Sequence, residues 1–138
     1  MKYHNPKTIY LKDYKPPKYL VDKIDLNIEL YEDLSIVRAI MKFRKNPNSN
    51  ENSEELILNG EKLKLKYIFL DDKKLNKNQY YTNNSQLIIH KVPEEFVLKT
   101  VISIQPQKNT ELEGLYKSGS IFCTQCESEG FRKITYSL

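Results

Sequence analysis

Cys123 and Cys126 enclose Thr124 and Gln125, and Glu127 comes directly after the second thiol. A C-x-x-C pair does redox chemistry when it sits at a helix N-terminus after a strand, usually in a βαβ setting, and it holds structural zinc when a second pair of ligands completes the tetrahedron. The chain has no further cysteine and no βαβ pattern. Two free thiols in a reducing compartment are the plain reading. Gln125 and Glu127 offer something different, an amide and a carboxylate on one predicted loop, a combination able to bind a cationic amine. A surface glutamate is more often simply solvated, so this pair calls for a second, independent reason.

No other cluster forms a catalytic centre. The two histidines, His4 and His90, belong to no H-E-x-x-H helix, the arrangement that sets two imidazoles and a glutamate base around zinc. His90 closes a predicted strand and reads as a sheet-end residue, and His4 lies near the start of the chain. Asp71-Asp72, Glu94-Glu95 and Glu54-Glu55 are adjacent acids, which a strand would point to opposite faces, so they read as solvated turn residues. There is no glycine-rich phosphate loop and no G-x-S-x-G serine.

The elements that must position Gln125 and Glu127 read as strands. Ile24, Leu26, Ile28 and Leu30 alternate with Asp25, Asn27 and Glu29, which predicts a half-buried strand starting near Tyr19. Ahead of it, Tyr14-Lys15-Pro16-Pro17-Lys18 is held extended by its prolines, so residues 1–18 form an extended arm. Leu34 to Lys45 fits either a helix capped by Asp33 or a strand paired with its predecessor. Asn46 to Ser53 reads as a dispensable polar loop. Leu56-Ile57-Leu58 and the alternating Leu63, Leu65, Tyr67 and Phe69 flank a turn signal at Asn59-Gly60. Short apolar runs come next at Ser85–His90 and Phe96–Ile104, and from Gln105 onward the pattern fades into a loop-rich stretch carrying Gly114 and Gly119. Many short strands between polar turns predict an all-β antiparallel sandwich.

Composition bounds the partners. The 138 residues carry 22 basic and 18 acidic side chains, a net charge of +4, with acids interleaved among the lysines. Nucleic-acid binding, which needs clustered positive charge, is not expected. Runs such as Tyr67-Ile68-Phe69-Leu70 fall far short of the roughly 20 apolar residues that a membrane helix needs. Met1-Lys2-Tyr3-His4-Asn5 opens no apolar signal segment, so no membrane contact and a cytoplasmic location are expected.

Thr8-Ile9-Tyr10, Asp13-Tyr14-Lys15-Pro16-Pro17, Leu58-Asn59-Gly60-Glu61-Lys62-Leu63-Lys64-Leu65 and Asn109 to Gly119, then Cys123 to Arg132 with Ile134-Thr135-Tyr136, resemble bacterial aminopeptidase N, a gluzincin zinc metallopeptidase family, in that family's order. The resemblance implies a strand for Leu34–Lys45. It also implies that residues 19–138 are the partial N-terminal β domain, a sandwich or saddle-like structure incomplete at its C-terminal end, with the catalytic domain absent. Gln125 and Glu127 match the family's substrate-binding glutamine and glutamate, so the expected partner is a peptide with a free N-terminus. The zinc-binding helix, its third glutamate ligand, the G-A-M-E-N loop and the transition-state tyrosine would all come after Leu138. No cofactor is therefore expected in this chain, zinc is expected in the complete enzyme, and a separate catalytic portion is a candidate partner. The competing reading is a stand-alone β-sandwich module that binds peptides or proteins.

Overall fold

Alternation of apolar and polar residues builds most of this molecule, whose computed structural model describes residues 15–109, 113–126 and 130–138. Strand β1 (Tyr19–Leu30) and strand β2 (Ser35–Lys45) form an antiparallel hairpin, closed by a hydrogen bond from Tyr31 N to Leu34 O. The second stretch is thus a strand, and period two explains why. Ser35, Val37, Ala39, Met41 and Phe43 are all buried, while Arg38, Ile40, Lys42 and Arg44 are exposed.

β2 pairs with the long β8 (Glu95–Ile104), and β8 pairs on its other side with β4 (Lys64–Leu70), which turns into the two-residue β5 (Lys73–Lys74). The resulting five-stranded sheet has the order β1-β2-β8-β4-β5, all antiparallel. A second antiparallel sheet, of order β3-β7-β6, consists of β3 (Leu56–Asn59), β7 (Gln86–Ile89) and β6 (Tyr80–Thr82). Its inward residues Leu56, Leu58, Leu87 and Ile89 share one core with Val37, Met41, Phe43, Leu98 and Ile102. Phe43 stacks on Phe96 with ring centroids 5.1 Å apart, and Tyr19 meets Phe96 edge-on at 5.7 Å. The all-β antiparallel expectation holds.

Several local expectations need correction. Ile24, Leu26, Ile28 and Leu30 do share a face, but they remain 37% to 46% exposed. They lie opposite Met41, Ala39, Val37 and Ser35, hence on the core side of the sheet, yet among the described residues nothing covers them as the second layer covers β2. In β4 the register slips between Leu65 and Tyr67, which inverts the alternation. Ile68 is consequently buried and Tyr67 exposed, the reverse of the sequence pattern. Asn46, expected in a dispensable loop, is buried: its side chain donates to the Pro17 carbonyl and its own backbone N–H to the Lys18 carbonyl. That ties the lead-in at Lys15–Lys18, which has no regular structure, to the sheet. Residues 1–14 of the expected arm lie outside the described residues.

Asn59-Gly60 is no hairpin turn, because β3 and β4 belong to different sheets. Gly60 answers a steric demand instead: a Cβ there would lie 2.5 Å from Cε1 of the buried Tyr136 ring. Asp71-Asp72, read as turn residues, form the two-residue connection of β4 to β5 with φ of 47° and 65°, as a type I′ turn requires. The stretch after Gln105 holds a further hairpin, β9 (Gly114–Ser118) with β10 (Ile121–Gln125), which the sequence pattern does not reveal. Gly119 opens its two-residue turn at φ 61°.

Gly60→Ala should lower stability by about 1–3 kcal/mol, the usual range for overpacking. Gly119→Ala, with open space around its Cβ but a positive φ, should cost about 1–2 kcal/mol. Urea unfolding midpoints of the two variants check both values.

Candidate functional site

Three backbone segments meet at the open end of the β9–β10 hairpin. Gln125, the last residue of β10, pairs with Gly114, the first of β9. Gly114 holds φ 71°, and a Cβ there would come within 2.8 Å of the Lys133 Cβ and 3.0 Å of the Gly130 carbonyl oxygen. A Cβ on Gly130 would overlap the Gln125 carbonyl oxygen and lie 3.2 Å from Gly114 N. Only glycine fits at these two positions, so the chain leaves at Gln125 and is already back against the same carbonyl at Gly130. Gln125 and Gly130, on either side of Glu127, are thereby held against each other.

The last nine residues lock this junction to the core. Gly130–Lys133 makes a 3-10 turn, closed by Ile134 N donating to Phe131 O, and Ile134, Thr135 and Tyr136 are buried. Ser137 and Asn59 exchange backbone hydrogen bonds at 2.6 and 2.9 Å, which fastens the segment to β3. The Lys133 ammonium, mostly buried, bonds Glu113 at 2.6 Å and lies 3.7 Å from Glu61. This charged contact joins the approach to β9, the approach to β4 and the C-terminal turn.

Of the predicted site residues, Gln125 is exposed and sits on a strand end instead of the expected loop. Glu127 lies outside the described residues. Cys123 is half-buried and Cys126 exposed, both as free thiols. His90 is exposed just after β7, its backbone N–H donating to Gln79 O, and His4 lies outside the described residues. Among the described residues no three His, Cys, Asp or Glu side chains come together as a metal could use. No helix among them is long and apolar enough to cross a membrane.

A cleft of about 420 Å³ has no counterpart in the sequence pattern. Leu34, Leu63, Ile104 and Leu115 supply apolar lining, and Lys64 and Lys108 line it as well. These residues are scattered over the chain and make no motif, and Gln125 does not line the cleft. Lys133 belongs both to the cleft and to the junction at Gly114.

No family model matches the sequence. Individual proteins do. Aminopeptidase N of Caulobacter vibrioides is 40% identical over 136 residues, 99% of this chain and 15% of that protein. Aminopeptidase N of Escherichia coli is 40% identical over 133 residues, again 15% of its length. The structure of Legionella pneumophila aminopeptidase A in complex with aspartic acid superposes on 92% of the chain with a TM-score of 0.85 and 31% identity. This chain matches the N-terminal part of aminopeptidase N. It spans about 15% of the length of the curated relatives it matches. An M1 zinc metallopeptidase of Deinococcus radiodurans, at 10% identity and a TM-score of 0.69, shares the fold. The aminopeptidase N match runs through the glycine junction that holds Gln125.

Burial pushes the Tyr136 phenol above its ordinary value, and burial together with the Glu54 and Glu94 carboxylates does the same to Tyr19. The folded chain therefore favours the neutral phenols. Their contribution is fully present below the unfolded value of about 10 and is lost as pH rises through the folded values. Tyr136→Phe should weaken the loss of stability above pH of about 10 and leave the neutral range nearly unchanged, as unfolding midpoints across pH would show. Gly130→Ala, which forces the Gln125 carbonyl to move, should cost about 1–3 kcal/mol, measured by urea unfolding.

Proposed function

We propose that this chain is the substrate-anchoring N-terminal portion of a zinc aminopeptidase, holding the amino end of a peptide while residues outside these 138 do the cleavage. The match to aminopeptidase N across 99% of the chain carries this reading. In it, Glu127 receives the substrate's free α-ammonium through a charge-assisted hydrogen bond. Anchoring that group decides which peptide bond is presented for cleavage, which makes the enzyme an exopeptidase. Gln125 hydrogen-bonds the same end and shapes the space for the first side chain. Its exposure and its place at a rigid strand end support that role.

Zinc does not fit this chain. His4 and His90 are its only histidines, and neither lies in an H-E-x-x-H helix. The 138 residues therefore contribute binding and orientation, with hydrolysis left to the remainder of the enzyme. They act in the cytoplasm, in peptide breakdown.

The test is a graft in which this chain replaces the matching segment of Caulobacter aminopeptidase N. The graft should release N-terminal residues from short peptides. Glu127→Ala in it should lower kcat/KM about ten- to a hundredfold, the worth of one hydrogen bond to a charged group, and Gln125→Ala should cost less. Unchanged kinetics for Glu127→Ala would remove the assignment. Tight binding of amino-terminal peptides by the isolated chain, in a metal-free buffer, would favour the stand-alone binding module.

A further inference from the structure

The cleft beside the start of β4 takes no part in the proposed site. Its wall is apolar: Ile104, Pro106 and Leu115 are buried, and Leu34 and Leu63 are half-buried. Its volume of about 420 Å³ falls within the range of small-molecule sites, about 300–1,000 Å³. Charge marks it further. Lys62, Lys64, Lys66, Lys108 and Lys133 all line it, against Glu61 as the one acidic lining residue. Glu61 does not balance them, because Lys133 already takes both Glu61 and Glu113, and Lys62 has a contact of its own. Lys64, Lys66 and Lys108 are exposed, and among the described residues they pair with no carboxylate. Elsewhere on the same sheet exposed cations are matched, Arg38 by Glu29, Arg44 by Asp22 and Lys99 by Asp72.

The backbone adds a second observation. The register slip in β4 falls at Lys66, since Leu65 faces Ile102 and Tyr67 faces Val101, which leaves Lys66 as the extra residue without a partner on β8. A bulge of this kind re-aims a side chain, and here Lys64 and Lys66 both line the cleft. We propose that the cleft binds an organic carboxylate with an apolar body, its head among Lys64, Lys66 and Lys108 and its body against Ile104, Pro106 and Leu115. Unmatched ammonium groups around one concavity attract a negative head, and each is a point charge that accepts a carboxylate in many orientations. A bare ion would gain nothing from the apolar wall. A neutral apolar molecule would gain nothing from the lysines. Gln125 does not line the cleft, so this site is separate from the proposed substrate anchor.

Octanoate carries both features and is the probe, titrated below its micellar range into the 138-residue chain by calorimetry. One saturable site is expected. Octanol, which lacks the charge, should bind about tenfold more weakly or worse, and acetate, which lacks the body, should show no saturable binding. Lys66→Gln combined with Lys108→Gln should weaken octanoate about tenfold while the urea midpoint stays in place. Leu26→Asp, on the exposed apolar row of β1, should leave the affinity unchanged. The absence of saturable octanoate binding overturns the proposal, as does equal affinity for octanol. So does binding that Leu26→Asp abolishes and the lysine variant does not. The site should persist when the chain is grafted into Caulobacter aminopeptidase N. Binding that is lost in a folded graft assigns the cleft to the enzyme's own remaining segments and overturns the proposal as well.

Discussion

The molecule depends on one dry layer, the space between the inner side of β2, β8 and β4 and the inner side of β3 and β7. β8 is its axis: Phe96, Leu98, Thr100, Ile102 and Ile104 all point into it and are all buried. Each aliphatic or aromatic side chain buried there is worth roughly 1.5–3 kcal/mol of transfer free energy, which must offset the chain entropy lost in ordering the strands. The layer is not perfectly apolar. The Thr100 hydroxyl is buried in it between Ala39 and Ile68 of the neighbouring strands, with no hydrogen-bond partner among the described residues. The β9–β10 hairpin and the turn after Gly130 extend the same core through Leu115, Ile134 and Tyr136.

That dependence explains what could be read from the sequence. Where a strand keeps its period over many residues, as β2 and β8 do and β1 does from Lys23 to Leu30, the pattern shows the element and its inward side. It does not show whether anything lies on that side. The alternation at Ile24–Leu30 is the same code as at Val37–Phe43, and only the extent of the second sheet makes one row exposed and the other dry. The slip in β4 is invisible for another reason: one extra residue inverts the pattern without altering composition, so Tyr67 and Ile68 exchange faces. Asn59-Gly60 misleads because glycine serves two different needs. A turn would ask for positive φ, whereas here the demand is room for the Tyr136 ring, a contact 76 residues away that no local pattern contains.

The candidate site was legible in a similar, partial way. From chemistry alone Gln125 and Glu127 were an amide and a carboxylate close together, and many surface pairs look like that. Resemblance to a family singled them out. Around Gln125 the structure shows a close backbone approach that the sequence held only as glycines, Gly114 and Gly130, whose missing side chains let β9, β10 and the C-terminal turn touch. The β9–β10 hairpin itself was missed because its strands are five residues each and weakly patterned, although the glycine opening its turn was a usable sign.

A carboxylate that recognises an ammonium gains little if it must first be ordered. Immobilising a flexible side chain and its backbone costs about 0.5–1.5 kcal/mol per side chain and more for the chain itself, against about 1.5–3 kcal/mol for the charged hydrogen bond. Gln125 and Gly130, the described positions on either side of the proposed anchor Glu127, are both set by folding. Folding in turn sets them through a chain of contacts: Gly130 against the Gln125 carbonyl, Lys133 to Glu113 and Glu61, Tyr136 over Gly60, Ser137 to Asn59 and so to β3 and the dry layer. The backbone at Gln125 and the burial at the centre are therefore linked, and a substitution far from Gln125, such as one that disturbs the packing of Tyr136, reaches Gln125 through backbone geometry and not through charge.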